Sequence, residues 1–204
     1  LKYLPSYTTD FKSADKKITV NIEKSMAVLS DGPPEVSVVY GGKITDYKFT
    51  DNTGIVTSDG VRLEGTWYWD TDNLDINSIP DVGGTKAYPA KFKIKTNADY
   101  YTEVKADIIP NVSPRNLQDI TKVTLKQKVY DGTPAGSVDT IICRSSDKKA
   151  VTLNPSDYTY RVVYDNHNAG KNRIAMVYIR SNTPNYTIMR EDGEMFFEVK
   201  GAVI

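Results

Sequence analysis

Cysteine, histidine, net charge and long apolar runs are all but missing from this chain of 204 residues, and each absence removes a class of protein. Its one cysteine, Cys143, has no partner within the chain, so a disulfide-stapled scaffold is excluded and cysteine use does not mark the redox compartment. Its one histidine, His167, sits in the polar run Asp165-Asn-His-Asn168 with no second imidazole and no nearby cysteine. That removes the usual zinc donor set, and no nucleophile-elbow sequence is present to make a Ser-His-Asp triad, so His167 reads as an exposed turn residue. With 26 Lys+Arg against 26 Asp+Glu, nothing in the global electrostatics favours nucleic acid or an anionic membrane. No stretch approaches the length of a membrane-spanning helix, and residues 1–17 lack the apolar core of a signal peptide. The chain opens without methionine, as a mature or excised segment does, so an export signal or wall anchor is expected outside it. Helical periodicity is missing as well: no window of 11 or more residues repeats at 3.6, and the best short helical candidate is 115–121.

What is present is tyrosine, 14 residues of it, and period-two alternation. Ile18, Val20 and Ile22 alternate with polar residues, as do Val36, Val38 and Tyr40. In 89–95 Ala90, Phe92 and Ile94 are expected inward and Lys91, Lys93 and Lys95 outward, followed by Val104, Ala106 and Ile108. The second half repeats the pattern with Val123, Leu125 and Val129, with Tyr158, Tyr160, Val162 and Tyr164, and with Met195, Phe197 and Val199. Residues 174–179 are apolar on both sides and read as a central strand covered on two faces. Asp59-Gly60 and Asp192-Gly193 have the composition of two-residue type I′ hairpins, and Gly132 and Gly170 are expected in turns with positive φ.

Landmarks recur at an offset of about 85 to 90 residues: Tyr40-Gly41-Gly42 with Tyr130-Asp131-Gly132, Gly83 or Gly84 with Gly170, and Asn97 to Tyr101 with Asn185-Tyr186. The expectation is an all-β chain of two tandem Ig-like β-sandwich domains of antiparallel strands, with a β-grasp fold as rival. The predicted boundaries are an N-terminal tail 1–17, a first surface repeat 18–112, a linker 113–119 stiffened by the prolines at 110 and 114, and a second repeat 120–204.

The second half resembles the YDG-type Ig-like modules that occur in tandem in large exported bacterial surface proteins. The residues that carry the likeness are Val129-Tyr-Asp-Gly-Thr-Pro134, Ser156-Asp-Tyr-Thr159 leading into Val163-Tyr164, Asn166-His-Asn-Ala-Gly170, and Pro184-Asn-Tyr-Thr187. The first half looks like a companion repeat through Tyr40-Gly41-Gly42, Gly65-Thr-Trp-Tyr-Trp69, Pro80-Asp-Val-Gly83 and Asn97-Ala-Asp-Tyr100, with a departure in spacing between Asp70 and Ile79. The resemblance implies an extracellular place at the cell surface or wall and carries no catalytic residues to transfer. Tyr130 and Tyr186 are expected to pack their rings at the core edge.

Candidate sites are few. Trp67 and Trp69 share a strand face with Val61 and Leu63 and are expected in the core. Tyr68, on the opposite face, with Tyr100 or Tyr101, is the better candidate for an exposed ligand platform. The acidic run Asp70, Asp72, Asp75 invites calcium but lacks the third ligand, the turn glycine and the closing glutamate of an EF-hand loop, so a solvated loop is expected. The lysines 91, 93 and 95 and 122, 126 and 128 are expected to keep strand faces soluble, with attraction of an acidic wall polymer as the alternative. A lysine–asparagine isopeptide crosslink, marked by a mass deficit of about 17 Da, has no pair the sequence selects. No catalytic residues, metal or cofactor are predicted. The leading expectation is a non-catalytic spacer or stalk module of an exported bacterial surface protein that contacts neighbouring domains of its own chain. The alternative is an adhesin-like module that recognises glycan or host extracellular matrix, and a secreted hydrolase is a distant third. Neither nucleic acid nor direct membrane insertion is expected.

Overall fold

The computed structural model describes residues 2–3, 14–30, 32–49, 55–57, 60–166 and 168–204. His167, Asp59 and most of the predicted N-terminal tail lie outside the described residues.

The alternating sequence becomes strand, and no α-helix occurs among the described residues. In chain order the strands are β1 (Lys2–Tyr3), β2 (Ala14–Asp15), β3 (Ala27–Leu29), β4 (Ser37–Val39), β5 (Ile55–Thr57), β6 (Gly65–Trp69), β7 (Tyr88–Ile94), β8 (Val104–Ile108) and β9 (Asn111–Ser113). They continue as β10 (Arg115–Leu125), β11 (Val138–Ser145), β12 (Ala150–Thr152), β13 (Tyr158–Tyr164), β14 (Gly170–Ser181), β15 (Tyr186–Ile188) and β16 (Glu194–Val203). Single 3-10 turns fall at Ile44–Asp46 and Ala98–Tyr100.

Each half contains a three-stranded antiparallel sheet with the same arrangement: β6-β7-β8 in the first and β13-β14-β16 in the second, the middle strand in sequence also being the middle strand in space. The second half adds a sheet ordered β12-β11-β10-β15, and the first half adds the pairs β3-β5 and β4-β9. Among the described strands the ladders are antiparallel except β4 with β9 and β10 with β15, which are parallel and three residues long. Apolar burial forms two clusters. One gathers Ile44, Ile55, Trp67, Trp69, Tyr88, Phe92 and Ile108, the other Leu117, Ile141, Cys143, Val177, Ile179, Met195 and Val203. Tyr40 packs against both.

The inward faces match the alternation in most regular strands, although Tyr160, expected inward with Tyr158, Val162 and Tyr164, is exposed in β13. Ala90, Phe92 and Ile94 are buried, as are Val104 and Ile108. Several other expectations fail. Residues 115–121 are not helical but open β10. Leu117, Ile120 and Val123 point inward at intervals of three because bulges at Leu117/Asp119 and Ile120/Lys122 each insert a residue and reverse the phase. The predicted linker 113–119 accordingly lies in β9 and β10 with Pro114 between them. Ile18, Val20 and Ile22 form no strand and are exposed. Past the end of β10, Lys128 turns inward and Val129 outward, and Val61, in the turn before β6, is exposed.

Turn chemistry differs too. Gly132 takes φ +75° as expected, but Gly170 opens β14 without a positive φ. At Asp192-Gly193 only the glycine is left-handed, its N–H reaching Arg190 O at 3.0 Å, and the turn links β15 in one sheet to β16 in the other, so it closes no hairpin. β14 is the central strand predicted, yet only Ala175, Val177 and Ile179 are buried. Its other face is open, with Ile174 exposed.

Candidate functional site

Both tryptophans belong to the first core. Trp67 and Trp69 are 5% and 7% exposed, Trp69 Nε1 donates to Tyr47 O at 2.8 Å, and its ring lies 4.6 Å from that of Phe49. The neighbouring Tyr68 points outward beside a cleft of about 300 Å3 that Tyr47, Phe49 and Thr66 also line. Tyr100 is exposed in the 3-10 turn that follows Asn97, whereas Tyr101 is half-buried against the first cluster and bridges to Ser25. No ring contact among the described residues joins Tyr68 to Tyr100 or Tyr101.

The acidic loop after β6 is not simply solvated. Asp70 is buried, accepts from Asn73 Nδ2 at 2.8 Å and meets the Lys91 ammonium at 2.9 Å. Asp72 and Glu103 approach the same ammonium at 3.6 and 3.8 Å, so Lys91 is drawn in as counter-ion while Lys93 and Lys95 face solvent. The Asn73 hydrogen bond, reinforced by Lys91, holds the Asp70 carboxyl below its usual range, and the Asp70 hydrogen bond raises Lys91. An amide crosslink needs a neutral amine, which the Asp70 contact disfavours at Lys91, and this pair is lysine–aspartate, not the lysine–asparagine pair expected. The lysine–asparagine contact, Lys43 Nζ to Asn77 Oδ1 at 2.8 Å, lies exposed. No cluster of three or more acidic, histidine or cysteine side chains among the described residues is arranged to hold a metal ion.

The Tyr-Asp-Gly turn is knotted by its aspartate rather than its tyrosine. Asp131 Oδ1 accepts from Lys128 Nζ at 2.7 Å and from both the N–H and the hydroxyl of Thr133 at 2.9 Å, while Tyr130 is exposed instead of packing at the core edge. These bonds, Lys128 first, lower the Asp131 pKa to about 2. Because the folded value lies below the unfolded one of about 3.9, the contribution to stability is complete above about pH 5 and lost as pH falls through about 2. A carboxyl-detected NMR titration should return an Asp131 midpoint near 2, and a midpoint near 4 would show that the Lys128 contact does not persist in solution.

Where the two halves meet, side chains form a continuous seam. Arg115, buried at the start of β10, donates Nε to Tyr40 O at 2.7 Å and places Nη1 3.5 Å from Asp147 Oδ2. Gly41 takes φ +95° beneath it, and a Cβ there would lie 3.2 Å from Arg115 Nε. Asn185, also buried, donates Nδ2 to Asp81 Oδ1 at 2.9 Å and accepts the Val82 N–H at 2.8 Å. Its own carbonyl accepts the Arg115 N–H at 2.9 Å. Next to it the Tyr186 ring meets Tyr40 edge-on at 5.2 Å, and burial, together with Tyr40, pushes the Tyr186 hydroxyl up to about 12. A groove of about 580 Å3 borders the seam, lined among others by Asp46, Tyr47, Arg115, Lys149 and Asn154. Asn185-Tyr186 was legible as a landmark of the repeat, but its partners 103 and 104 positions away were not.

One aromatic cluster went unpredicted. On the open face of β13-β14-β16, Arg161, Tyr178 and Phe196 are direct cross-strand neighbours, and Phe196 is 51% exposed. The Arg161 guanidinium lies 3.9 Å from the Tyr178 ring centre, Tyr178 lies 6.4 Å from Phe196, and Arg190 covers Phe196 at 4.8 Å. The sequence signal was the outward phase of 178 and 196. Their alignment required the register.

Comparison with protein-family models, curated proteins and solved structures returns no match for this chain.

Proposed function

We propose that this chain is a structural spacer of an exported bacterial cell-surface protein, made of two tandem Ig-like sandwiches and without catalytic activity. The seam carries the reading. Arg115 and Asn185 from the second half hold the 40–41 and 81–82 loops of the first through buried, directional hydrogen bonds, which suits a module whose product is reach and stiffness. The shared arrangement of β6-β7-β8 and β13-β14-β16 supports tandem repetition, and the YDG-type landmarks support an extracellular location at the cell surface or wall.

The test is Asn185→Ala. It removes the acceptor of the half-buried Val82 N–H and one donor to the exposed Asp81 carboxylate, at a cost of about 0.5–1.5 kcal/mol. The expected result is a lower melting temperature together with a broader distribution of interdomain distances by small-angle scattering. If the halves of the unaltered protein already tumble independently by NMR relaxation, the stiff-spacer reading falls. An adhesin-like role is the second reading, favoured by the arginine-covered aromatic face.

A further inference from the structure

We infer that the free edge of β16 pairs antiparallel with β16 of a second copy of this chain, joining two sheets into one across a two-fold axis at Phe197. Asp165 N–H reaches Ile174 O at 2.8 Å and Asn182 N–H reaches Asp157 O at 2.9 Å, so the even-numbered residues of β14 bond to β13 and its odd-numbered ones to β16. Through the β14–β16 register, Met195, Phe197 and Val199 bond to β14. The backbone groups of Glu194, Phe196, Glu198 and Lys200 point the other way, where the sheet has no further strand. The two ends of that edge are occupied: Asp192 Oδ1 accepts the Glu194 N–H at 3.1 Å, and Ile204 bonds to Lys128 and Tyr130 at 3.0 and 2.7 Å. Between them Phe196, Glu198 and Lys200 have no backbone partner on that side among the described residues. The opposite edge, β13, is covered by 134–136, with Gly136 N–H on Val162 O at 3.2 Å and Tyr164 N–H on Pro134 O at 2.8 Å. The open stretch of β16 has none of the usual guards against pairing. It contains no proline and no inward charge, and the register shift with β14 lies away from it, at Gly170/Arg173. It is also apolar, with Phe197 and Val199 half-buried at the rim of the second cluster and Phe196 51% exposed.

The edge residues select both partner and register. Two antiparallel copies bond only through residues whose backbone faces the edge, so Glu194, Phe196, Glu198 and Lys200 must meet one another. An axis at Phe197 sets Lys200 opposite Glu194 at both ends, Phe196 opposite Glu198, and Phe197 opposite itself. An axis at Phe196 would set Glu194 against Glu198 twice, and one at Glu198 would set that carboxylate against itself. An axis at Val199 needs the outward groups of Ile204, which Lys128 and Tyr130 already hold, and one at Met195 runs into the turn before β16. Only the Phe197 register, within the open stretch, brings opposite charges together and no like ones. Glu194, which Arg180 meets at 3.2 Å, then lies between two cations. At the axis the Phe197 rings face each other at the rim of the core, and the Phe196 rings become diagonal neighbours on the open face. Glu194 and Lys200, equidistant from Phe197 and opposite in charge, complement the same strand reversed, which favours a second copy over an unrelated strand.

The experiment is sedimentation equilibrium of the whole chain over about 5–500 μM, a range suited to an interface smaller than the standard size. A reversible monomer–dimer equilibrium is expected. Glu198→Pro removes an N–H that faces the edge and not β14, so it should weaken dimerisation at least tenfold while the monomer stays folded. Glu194→Lys and Lys200→Glu should each dimerise poorly alone, because each sets like charges against each other at both ends. Mixed in equal amounts they should recover the dimer, since every pair across the axis is then opposite in charge. Melting curves at the lowest concentration establish that the variants fold, and the mixing result does not depend on the proline variant. A chain that stays monomeric throughout overturns the proposal, as does a dimer that folded Glu198→Pro leaves undiminished. A mixture that associates no better than its components overturns the register, and assemblies that grow beyond the dimer overturn the two-fold pairing. None of these outcomes bears on the seam, so the spacer reading stands or falls separately.

Discussion

Trp69→Ala is expected to destabilise the protein by about 3–5 kcal/mol, the largest stability effect of any single substitution considered. The indole is packed by Phe49 and Tyr88, and its N–H satisfies Tyr47 O. Removing it opens a cavity in the first cluster and takes the donor from Tyr47 O. Against a typical folding free energy of 5–15 kcal/mol, that loss consumes a large share of the stability of whichever cooperative unit contains Trp69. Urea unfolding followed by Trp67 fluorescence measures it. A loss below about 1 kcal/mol would mean that the cleft beside Tyr68 already admits water to the site.

The second large effect concerns Cys143, whose thiol should react with a soluble disulfide reagent at pH 8 more than about a thousandfold slower than a free thiol. Burial in the second cluster, helped by the Asp119 charge, raises its pKa to about 12, so the thiolate is scarce even before access is counted. Labelling then reports the opening of the second cluster alone. In Trp69→Ala it should remain slow if the two clusters unfold as separate units, and rise in step with fluorescence if the seam makes them one. Fast labelling of the unaltered protein would contradict the packing of β11.

Local pattern sufficed in most strands that were regular and had a near partner. Ala90, Phe92 and Ile94, and the indoles of Trp67 and Trp69, were legible because period two fixes the face without knowledge of the neighbour. β10 was misread because two bulges convert alternation into a spacing of three, which imitates a helix. Lys91 and Lys128 were assigned to solvent by sequence phase alone. One is drawn in by a carboxylate that β6 delivers, the other turned in after β10 ends, and neither cause lies in its own strand. The candidate sites suffered most. The tyrosines at 68, 100 and 101 were chosen singly for exposure, whereas Arg161, Tyr178, Phe196 and Arg190 become a group only through cross-strand register, and the seam only through contacts over a hundred residues apart.

The two short parallel ladders acquire a meaning once the chain is put under tension. β9 leaves the first cluster alongside β4 in the same direction, and one proline later β10 enters the second alongside β15 in the same direction. A pull that enters ahead of β4 and leaves through β9 slides the two strands along each other, so the rungs share the load in shear instead of opening one by one. Resistance to flow or shaking would then be set by the rate at which such a clamp fails, a kinetic property distinct from the equilibrium stability of either core.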